Sequence, residues 1–384
     1  MKETLQNPSF YSSSEAFRTE MLLHERIWHC VGFVGALLPH KDSFIRVKIV
    51  NRDVLVVRNG NIFSAFLNIC PHRGGPFTLK DRGKLSTFTC MYHGLNFAKD
   101  GKFNVTNSAH EFCENPANYF QLDCLKLTQV PLEICGEAIF LSIQPALRLA
   151  DQFDNDLLEQ LSLLKVDHQY VFSAWTEPFN YKLNYENVND PLHVPHVHQA
   201  TFMQMLDYDG HIHKNQKNID FNPSHSKYLL KDKTTPSISE LSGLAFTRID
   251  RDPPWWSNLI NDSPNFADDK YINFFLFPGT NLFSVGGTHF GLQRYNPINS
   301  EEFIYELSYF LPPMANAFEA APVLKELFEA ELDTIKEDSA ILKSVHINMK
   351  QIHDPQNQLF HGDYEKKISK LSSYYNYIHS TSPL

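Results

Sequence analysis

Two short segments that each pair a cysteine with a histidine constrain this chain more than any other feature of its sequence. They lie in the stretch CPHRGGPFTLKDRGKLSTFTCMYHG, as Cys70 with His72 and Cys90 with His93. A thiolate and an imidazole two or three residues apart, on two loops brought together, supply four ligands that suit zinc or an iron–sulfur cluster. Glycines follow each pair and allow tight turns, so that their amides can point at cluster sulfurs. The stretch therefore predicts a metal centre and leaves zinc and iron–sulfur open.

The residues around these pairs are typical of a small all-β module. From 44 to about 145, short β-rich runs such as FIRVKIV and DVLVVRN alternate with Asn-Gly, Asp-Gly and Gly turns. Both Cys/His pairs lie in loops between these runs. We predict that this module is an insertion in a larger domain, because the helical pattern before it is expected to pack with the elements after it.

The rest of the chain mixes helix and strand patterns. Residues 14–30 have apolar positions at helical spacing after a candidate serine N-cap. The segments KYINFFLFPGTNLFSVGGTHFGLQRYN and EFIYELSYFLPP predict strands of a second sheet, and PVLKELFEAELDTIKEDSAILKSV predicts a long helix. The segment NYENVNDPLHVPHVHQATFMQML is expected to begin as a strand or turn and to continue as an irregular helix. This part should therefore be α+β, with a sheet covered by helices.

Composition and charge exclude several classes of function. The formal net charge of −10 argues against nucleic acid and anionic membranes as partners, because both bind clustered Lys and Arg. The N-terminal residues lack the apolar core of a signal peptide, and no run of about eighteen or more apolar residues occurs. The 6 cysteines lack the density of a disulfide framework, so we expect reduced thiols in a cytoplasmic protein.

A second candidate metal site lies in the segment NYKLNYENVNDPLHVPHVH, where three histidines follow a carboxylate. Iron that binds O2 is commonly held by two histidines and one carboxylate, with other positions left open. On an ideal helix His193 lies about 60° from His196 and about 140° from His198, so periodicity favours the first pair. Pro195 disturbs the helix where that choice is made. Asp190, which precedes a proline, is typical of a helix N-cap.

The late helix supplies a candidate for the carboxylate ligand. With Ile335 at zero on a helical wheel, Asp338 lies near about −60°, inside a buried apolar stripe. The stripe consists of Leu324, Phe328, Leu332, Ile335, Leu342 and Val345. A carboxylate on an apolar face is costly unless it is paired or binds a metal, so Asp338 is the predicted ligand. Glu331 is the alternative and could instead pair with a base. Asp333 and Glu337 fall on the opposite side and are expected to face solvent.

These motifs together resemble those of the Rieske non-haem iron oxygenases, in particular the α, or catalytic, subunits of the aromatic-ring-hydroxylating dioxygenase family. C-P-H-R-G followed by C-x-Y-H-G resembles the Rieske pattern C-x-H…C-x2-H. The histidine segment resembles the family's N-W-K…E-N…D-x2-H-x4-H, with Tyr181 in place of the usual tryptophan. The resemblance implies an all-β Rieske [2Fe–2S] domain at 41–150, inserted in a helix-covered, antiparallel-sheet, helix-grip-like catalytic domain of residues 1–40 and 151–384.

The resemblance also assigns the ligands of the cluster. It implies that Cys70 and Cys90 hold one iron of a [2Fe–2S] cluster and that His72 and His93 hold the other. The neutral imidazoles would raise the reduction potential relative to an all-thiolate cluster.

For the second site, the resemblance implies that His193, His198 and Asp338 hold a mononuclear Fe(II), and that His196 is not a ligand. The sequence K-E-D ending at Asp338 resembles the E-D that family members often have at this place. Asp190 would link an iron-binding histidine of one subunit to a cluster histidine of the neighbouring subunit and so offer a short route for electrons.

The family resemblance implies an enzyme, the terminal oxygenase component that activates O2 at Fe(II) with electrons relayed from the Rieske cluster. The electrons would come from NAD(P)H through a separate reductase and, in some members, a ferredoxin. No G-x-G-x-x-G dinucleotide fingerprint occurs in the sequence, which supports an external reductase. The resemblance also implies a homotrimer, in which head-to-tail contacts close into a ring and each active site uses two subunits.

The expected substrate is small and mainly apolar, as aromatic compounds are in most of the family. Candidate wall residues are Phe202, Met203, Met205 and Phe283. Ring hydroxylation and oxidative N- or O-demethylation start from the same oxygen chemistry, and the sequence leaves both open. A Rieske electron carrier and a zinc-stabilised binding protein are alternatives of another class. The carrier would leave the histidine segment and Asp338 unexplained, and the zinc protein would be colourless.

Overall fold

A computed structural model gives the structure of the chain, which is described for residues 5–104, 125–190, 192–201, 237–248, 254–261, 270–314, 317–352, 359–361 and 365–381. The strands are β1 (Leu5–Gln6), β2 (His29–Phe33), β3 (Ser43–Ile49), β4 (Arg52–Asn59), β5 (Ile62–Leu67), β6 (Arg82–Lys84), β7 (Phe88–Thr89), β8 (Asn96–Phe97), β9 (Phe103–Asn104), β10 (Gln129–Val130), β11 (Leu132–Cys135), β12 (Ala138–Leu141), β13 (Tyr170–Glu177), β14 (Gly243–Arg248), β15 (Lys270–Leu276), β16 (Thr280–Val285), β17 (Phe290–Pro297), β18 (Phe303–Phe310) and β19 (Leu359–Phe360). The α-helices are α1 (Ser14–His24), α2 (Val34–Leu37), α3 (Leu149–Gln152), α4 (Asn155–Ser162), α5 (Tyr181–Asn187), α6 (Val194–Val197), α7 (Ala317–Met349) and α8 (Lys366–Thr381). Short 3-10 helices cover Pro8–Tyr11, Ile238–Glu240 and Trp255–Leu259.

The chain folds into two compact units. One consists of Met1–His24 together with Leu147–Leu384, and the other of Glu25–Ala146. The second unit, whose described elements are strands apart from the short helix α2, is therefore inserted in the first, which has both helices and an antiparallel sheet. This confirms the predicted fold class. The domain bounds and the roles assigned to them from the sequence stay predictions.

The inserted unit is built on a five-stranded sheet with the order β10-β5-β4-β3-β6, accompanied by the three-stranded sheets β7-β8-β9 and β11-β12-β2. Strand β4 is central, and each residue of Val54–Val57 is buried. Because successive side chains of a strand point to opposite faces, this run divides between two cores. Leu55 and Val57 belong to the core that contains Cys70 and Cys90, and the other two residues belong to the core on the opposite face.

The larger unit is built on a six-stranded antiparallel sheet with the order β13-β18-β17-β16-β15-β14. Strands β14 to β18 follow one another as a meander, and β13 pairs with β18 over its whole length. Every residue of β16 is buried, as expected for a strand covered on both faces. The 33-residue helix α7 packs against β13 and β18. Neither α7 nor any other helix in the described part of the chain combines the length and apolar character needed to span a membrane.

The first helix is shorter than its sequence pattern predicts. Helical spacing predicted a helix over 14–30, but α1 ends at His24. At its start the Ser13 hydroxyl accepts a hydrogen bond from the backbone N–H of Ala16 (3.1 Å), which confirms a serine cap. Residues His29–Phe33 form β2 and pair with β12 in the inserted unit. Sheet pairing thus overrides the helical spacing there.

Candidate metal centres

The two Cys/His loops of the inserted unit have the same backbone geometry. In the first loop the N–H of Cys70 donates to the carbonyl of Gly75 (2.8 Å), and the N–H of Gly74 donates to the carbonyl of Cys70 (2.9 Å). In the second loop Cys90 and Gly94 make the same two bonds at the same distances. Gly74 and Gly94 have φ angles of 75° and 74°, in the left-handed region that glycine adopts without steric cost. Two equivalent loops therefore present the two cysteines.

The side chains of these loops sort by type, with thiols inside and imidazoles outside. Cys70 and Cys90 are 1% and 3% exposed, whereas His72 is exposed and His93 is half-buried. The two imidazole rings lie 4.9 Å apart between centroids. Burial and the neighbouring Cys90 thiol raise the pKa of Cys70 to about 11. A bound cation would therefore have to displace the Cys70 proton. At Gly75 a Cβ atom would lie 3.0 Å from the Cys90 sulfur, so glycine lets the loop approach the thiol.

The geometry of the four side chains distinguishes a single metal ion from a cluster. A single ion would draw at least three ligand atoms close together. Among the described residues, the group of three ligands with donor atoms within 4.8 Å of one another lies elsewhere and includes none of these four. A thiol pair next to an imidazole pair instead fits a two-iron cluster in which each iron takes one pair.

The histidine segment begins with helix α5, where the sequence predicted a strand or turn. The Asn180 side chain caps this helix by accepting a hydrogen bond from the N–H of Lys182 (3.0 Å). Each residue of Tyr181–Glu186 is buried, so the helix has no polar stripe that would reveal its period. The predicted irregular helix that follows is a single turn, α6, which covers Val194–Val197.

The end of α6 determines which histidines converge. His193 stands at the N-cap position of α6 without a capping side-chain hydrogen bond, and His198 follows the end of the helix with a non-helical φ of −102° and ψ of 36°. The angles of an ideal helix therefore do not apply to this pair, and His198 turns into the interior, where it is 3% exposed. His196, the partner that periodicity favoured, is exposed.

His193, His198 and Asp338 form a group whose ligand atoms all lie within 4.8 Å of one another. The Oδ1 atom of Asp338, on α7, lies 3.6 Å from Nε2 of His193 and 3.0 Å from Nε2 of His198. Burial lowers the pKa of His193, which favours the neutral imidazole that binds metals. Two imidazoles and one carboxylate on one side of a metal fit Fe(II), with positions left open for other ligands.

Asp338 lies on the inward side of α7, as the helical wheel predicted. The stripe residues on that side are buried or half-buried. The prediction that Glu337 faces solvent is wrong. Glu337 accepts hydrogen bonds from Nδ1 of His198 (2.9 Å) and from the Thr201 hydroxyl (2.6 Å). A helical wheel shows only the residues of the helix itself. It therefore could not show that the segment with His198 and Thr201 lies against Glu337. Asp333 is exposed, as predicted, and pairs with Lys336.

Asp190 lies beside the histidine group, in the turn between α5 and α6. Its Oδ1 atom accepts from the N–H of Leu192 (2.7 Å), and its Oδ2 atom lies 3.8 Å from Nδ1 of His193. The backbone carbonyl of Asp190 accepts from the same Nδ1 atom. Burial raises the pKa of the Asp190 carboxyl. Asp190 therefore caps a turn, as its position predicted, although the helix starts later, at Val194.

A cavity of about 150 Å³ adjoins the histidine group. One part of its lining is apolar and comprises Val188, Val194, Ala245, Tyr271 and Phe275. Another part is polar and comprises Asn187, Asn189, Asn273, Asn281, Gln293 and Glu331. Glu331 accepts from the Gln293 amide (2.8 Å) and the Tyr309 hydroxyl (3.3 Å), so its partners are neutral donors and not the base that the sequence suggested.

The four predicted substrate contacts have different positions relative to this cavity. Phe283 packs against Tyr271, which lines the cavity, but is not itself among the lining residues. Phe202, Met203 and Met205 lie outside the described residues. The polar lining from the central strands was missed, because alternation along a buried strand does not indicate which face meets a cavity.

Comparisons with family models match both units of the chain. Residues 27–120 match the model of the Rieske [2Fe-2S] domain. Residues 161–379, more than half of the chain, match the model of the ring hydroxylating alpha subunit (catalytic domain). The two matches follow the same order along the chain as the two candidate metal centres.

Curated relatives include enzymes named for different substrates. The anthranilate 1,2-dioxygenase large subunit of Acinetobacter baylyi is 27% identical over 198 residues, which are 49% of this chain and 41% of that subunit. The carnitine monooxygenase oxygenase subunit of Acinetobacter pittii is 26% identical over 242 residues, 60% of this chain and 62% of that subunit. This chain spans about half the length of the curated relatives it matches.

Solved structures share the fold over nearly the whole chain. Naphthalene 1,2-dioxygenase from Rhodococcus sp., solved with indole bound, superimposes with a TM-score of 0.73 and covers 99% of this chain and 95% of its own. The identity is 16%, so this likeness speaks to the fold alone. The matches to both domain models confirm the family predicted from the motifs. The chain belongs to the family of ring-hydroxylating α subunits that carry a Rieske [2Fe–2S] domain.

Proposed function

We propose that this chain is the terminal oxygenase component of a Rieske oxygenase system, which incorporates oxygen from O2 into a small organic substrate. One observation carries the proposal, namely that a single chain presents two separate donor sets of different chemistry. Two thiols with two imidazoles suit a cluster that transfers single electrons. Two imidazoles with a carboxylate suit an iron that activates O2.

In the inserted unit, Cys70 and Cys90 would hold one iron of the cluster, and His72 and His93 the other. The cluster supplies single-electron transfer at a potential that imidazole ligation raises. The burial of both thiols keeps solvent from the sulfur side. The exposed His72 leaves the imidazole side accessible to an electron-transfer partner.

In the larger unit, His193, His198 and Asp338 would hold Fe(II), whose chemistry is the binding and reduction of O2 when electrons arrive. Two neighbouring acceptors orient the histidines. Glu337 accepts from Nδ1 of His198, and the backbone carbonyl of Asp190 accepts from Nδ1 of His193. Each bond fixes the tautomer with its proton on Nδ1, so that Nε2, the atom nearer to Asp338, would be the nitrogen that binds a metal.

The partners of the reaction are proposed from family membership. Electrons would come from NAD(P)H through a separate reductase, with a ferredoxin in some systems, and the chain would form a homotrimer. Asp190 would connect the iron-binding His193 to a cluster histidine of the neighbouring subunit. Its side chain is 20% exposed while its backbone holds His193, which is consistent with a bridge to a second subunit. The four cysteines in the described part of the chain form no disulfide with one another, which favours a reducing, cytoplasmic compartment.

The proposed reaction is hydroxylation of a small, mainly apolar, aromatic substrate. The apolar part of the cavity lining supports this. Oxidative N- or O-demethylation is the second candidate, and the polar side chains that line the same cavity favour it.

The decisive experiment is spectroscopic and kinetic. The protein purified without oxygen should be red-brown, contain about three irons per chain and consume NADH and O2 together when a surrogate reductase and a substrate are added. A colourless protein that contains zinc would contradict the proposal. A coloured protein without the mononuclear iron would indicate an electron carrier.

A further inference from the structure

The polar part of the cavity next to the histidine group is rich in hydrogen-bond acceptors. Asn281 is 3% exposed and Asn189 is 7% exposed, and both residues line the cavity. The Oδ1 atoms of both, and of Asn273 beside them, are buried and have no hydrogen-bond partner within the described part of the protein. A buried acceptor without a donor costs free energy, so three such oxygens around one cavity point to a ligand that supplies donors.

A hydrogen-bond network fixes the orientation of the Gln293 and Asn281 amide groups in the cavity lining. The Tyr295 hydroxyl and the Asn281 Nδ2 atom both donate to Oε1 of Gln293 (2.8 and 3.1 Å). The Gln293 Nε2 atom in turn donates to Glu331 (2.8 Å). Above its pKa of about 7, the Glu331 carboxylate is ionised and only accepts, so Gln293 then presents its NH2 group to Glu331. Asn281, which lines the cavity, then has its NH2 group on Gln293, and its buried carbonyl oxygen is left without a donor among the described residues.

In the described polar part of the cavity lining, the carboxyl group of Glu331 has no Lys or Arg partner. Glu331 receives hydrogen bonds from Gln293 and Tyr309, which are neutral, and no Lys or Arg occurs among the described residues that line the cavity. Burial raises the pKa of Glu331 to about 7, as expected for a carboxyl group without a cationic partner. An organic acid would be repelled here, whereas a cation would complete the charge balance.

We infer that the substrate carries a protonated amino group with N–H donors, which Glu331 and the carbonyl oxygens of Asn281 and Asn273 bind, and an apolar body that lies against Ala245 and Phe275. This inference rests on the proposed oxygenase function and specifies its substrate class. A quaternary ammonium group has no N–H and leaves the amide oxygens unpaired, so it is a poorer ligand for this site than a primary amine.

The positions on α7 orient such a substrate. Glu331 lies seven residues before Asp338, which is two helical turns, or about 10 Å along the axis. The amino group therefore binds away from the histidine group, and the apolar body extends toward His193, His198 and Asp338.

The test measures binding without turnover. Holoenzyme loaded with both metals is titrated calorimetrically, without oxygen and at pH 8, with three probes that share one body. The probes are 2-phenylethylamine, its N,N,N-trimethyl derivative and 3-phenylpropanoate. We expect 2-phenylethylamine to bind at least about tenfold more tightly than either of the others. Equal or tighter binding of the trimethyl or carboxylate probe, or no binding of any probe, would overturn the inference.

Two variants separate charge from hydrogen bonding. Glu331→Gln should weaken 2-phenylethylamine binding about tenfold, and Asn281→Leu should weaken it while leaving the trimethyl probe unaffected. Glu326→Gln, on the exposed side of the same helix, is the matched control and should change nothing. Should Glu331→Gln fail to fold, Asn281→Leu decides alone, and unchanged amine affinity in it overturns the inference. Metal content and the visible spectrum of the same samples test the oxygenase proposal separately.

Discussion

The two candidate metal centres are assembled in opposite ways. The four cluster candidates lie within one short stretch, and each loop is shaped by its own backbone hydrogen bonds and its own glycine. The histidine group gathers two residues near one helical turn and a carboxylate from a helix far along the chain, with Glu337 and His198 separated by 139 residues. The comparison teaches that a local motif can define a ligand set completely, whereas a distributed site depends on where helices end and pack.

The largest expected effect comes from removing a cluster thiol. Cys90→Ser should abolish the visible absorption of the cluster and reduce turnover to the level without enzyme, because the cluster supplies the electrons. Cys135→Ser, which changes an unbridged cysteine outside the loops, is the control and should keep the colour. Absorption spectra and iron analysis of both variants check this, and an unchanged spectrum in Cys90→Ser would contradict the ligand assignment.

Asp338→Asn should affect only the centre formed by the histidine group. The variant is expected to lose the mononuclear iron and all turnover while it keeps the cluster spectrum, because Asp338 is the carboxylate of the histidine group. Iron quantification combined with electron paramagnetic resonance of the reduced cluster measures both centres in one sample. Loss of the cluster signal in this variant would show that the two centres do not form independently.

Asp190→Ala tests the connection between the centres. Both metals should be retained, because the backbone carbonyl that holds His193 is kept, while turnover falls by about tenfold to a hundredfold, because the carboxylate is the proposed electron route between subunits. Single-turnover measurements with a pre-reduced cluster would locate the loss in electron transfer. Full turnover with both irons present would refute the proposed role of Asp190.

Glu337→Gln tests the contact that the helical pattern missed. Glutamine can keep the hydrogen bond to His198 but lacks the charge, so the affinity for Fe(II) should fall by about tenfold. Metal-binding titrations of the iron-depleted protein check this. Asp333→Asn, at an exposed position of the same helix, is the control, and equal losses in both variants would assign the effect to the helix and not to His198.

The smallest effect is expected at His196. His196→Gln should leave iron content and turnover within about twofold of the unchanged protein, because this side chain is exposed and lies outside the converging group. Iron loss comparable to that of His193→Gln would show that the structure and the family pattern assign the wrong pair.

Sequence reasoning anticipated much of the fold and part of the candidate site. The sequence predicted strands where β15 to β18 lie, but not β13 or β14. The long helix with Asp338 on its buried stripe follows from periodicity, since burial on one face of a helix leaves a readable pattern. Helix α5 was misread because burial on all sides removes that pattern. The His193 and His198 pair followed from the family resemblance and not from helical angles, which favoured exposed His196.

By itself the sequence determined the chemical types of the ligands and their local order, because Cys-x-His, Cys-x2-His and the glycines after them act within single loops. Only the tertiary structure decided what meets across the chain. It brought Glu337 to His198, brought Gln293 and Tyr309 to Glu331, and placed Asn281 among the residues that line the cavity. Those contacts join elements far apart in sequence, and their partners are set by the packing of α7 on the sheet, which no local period records.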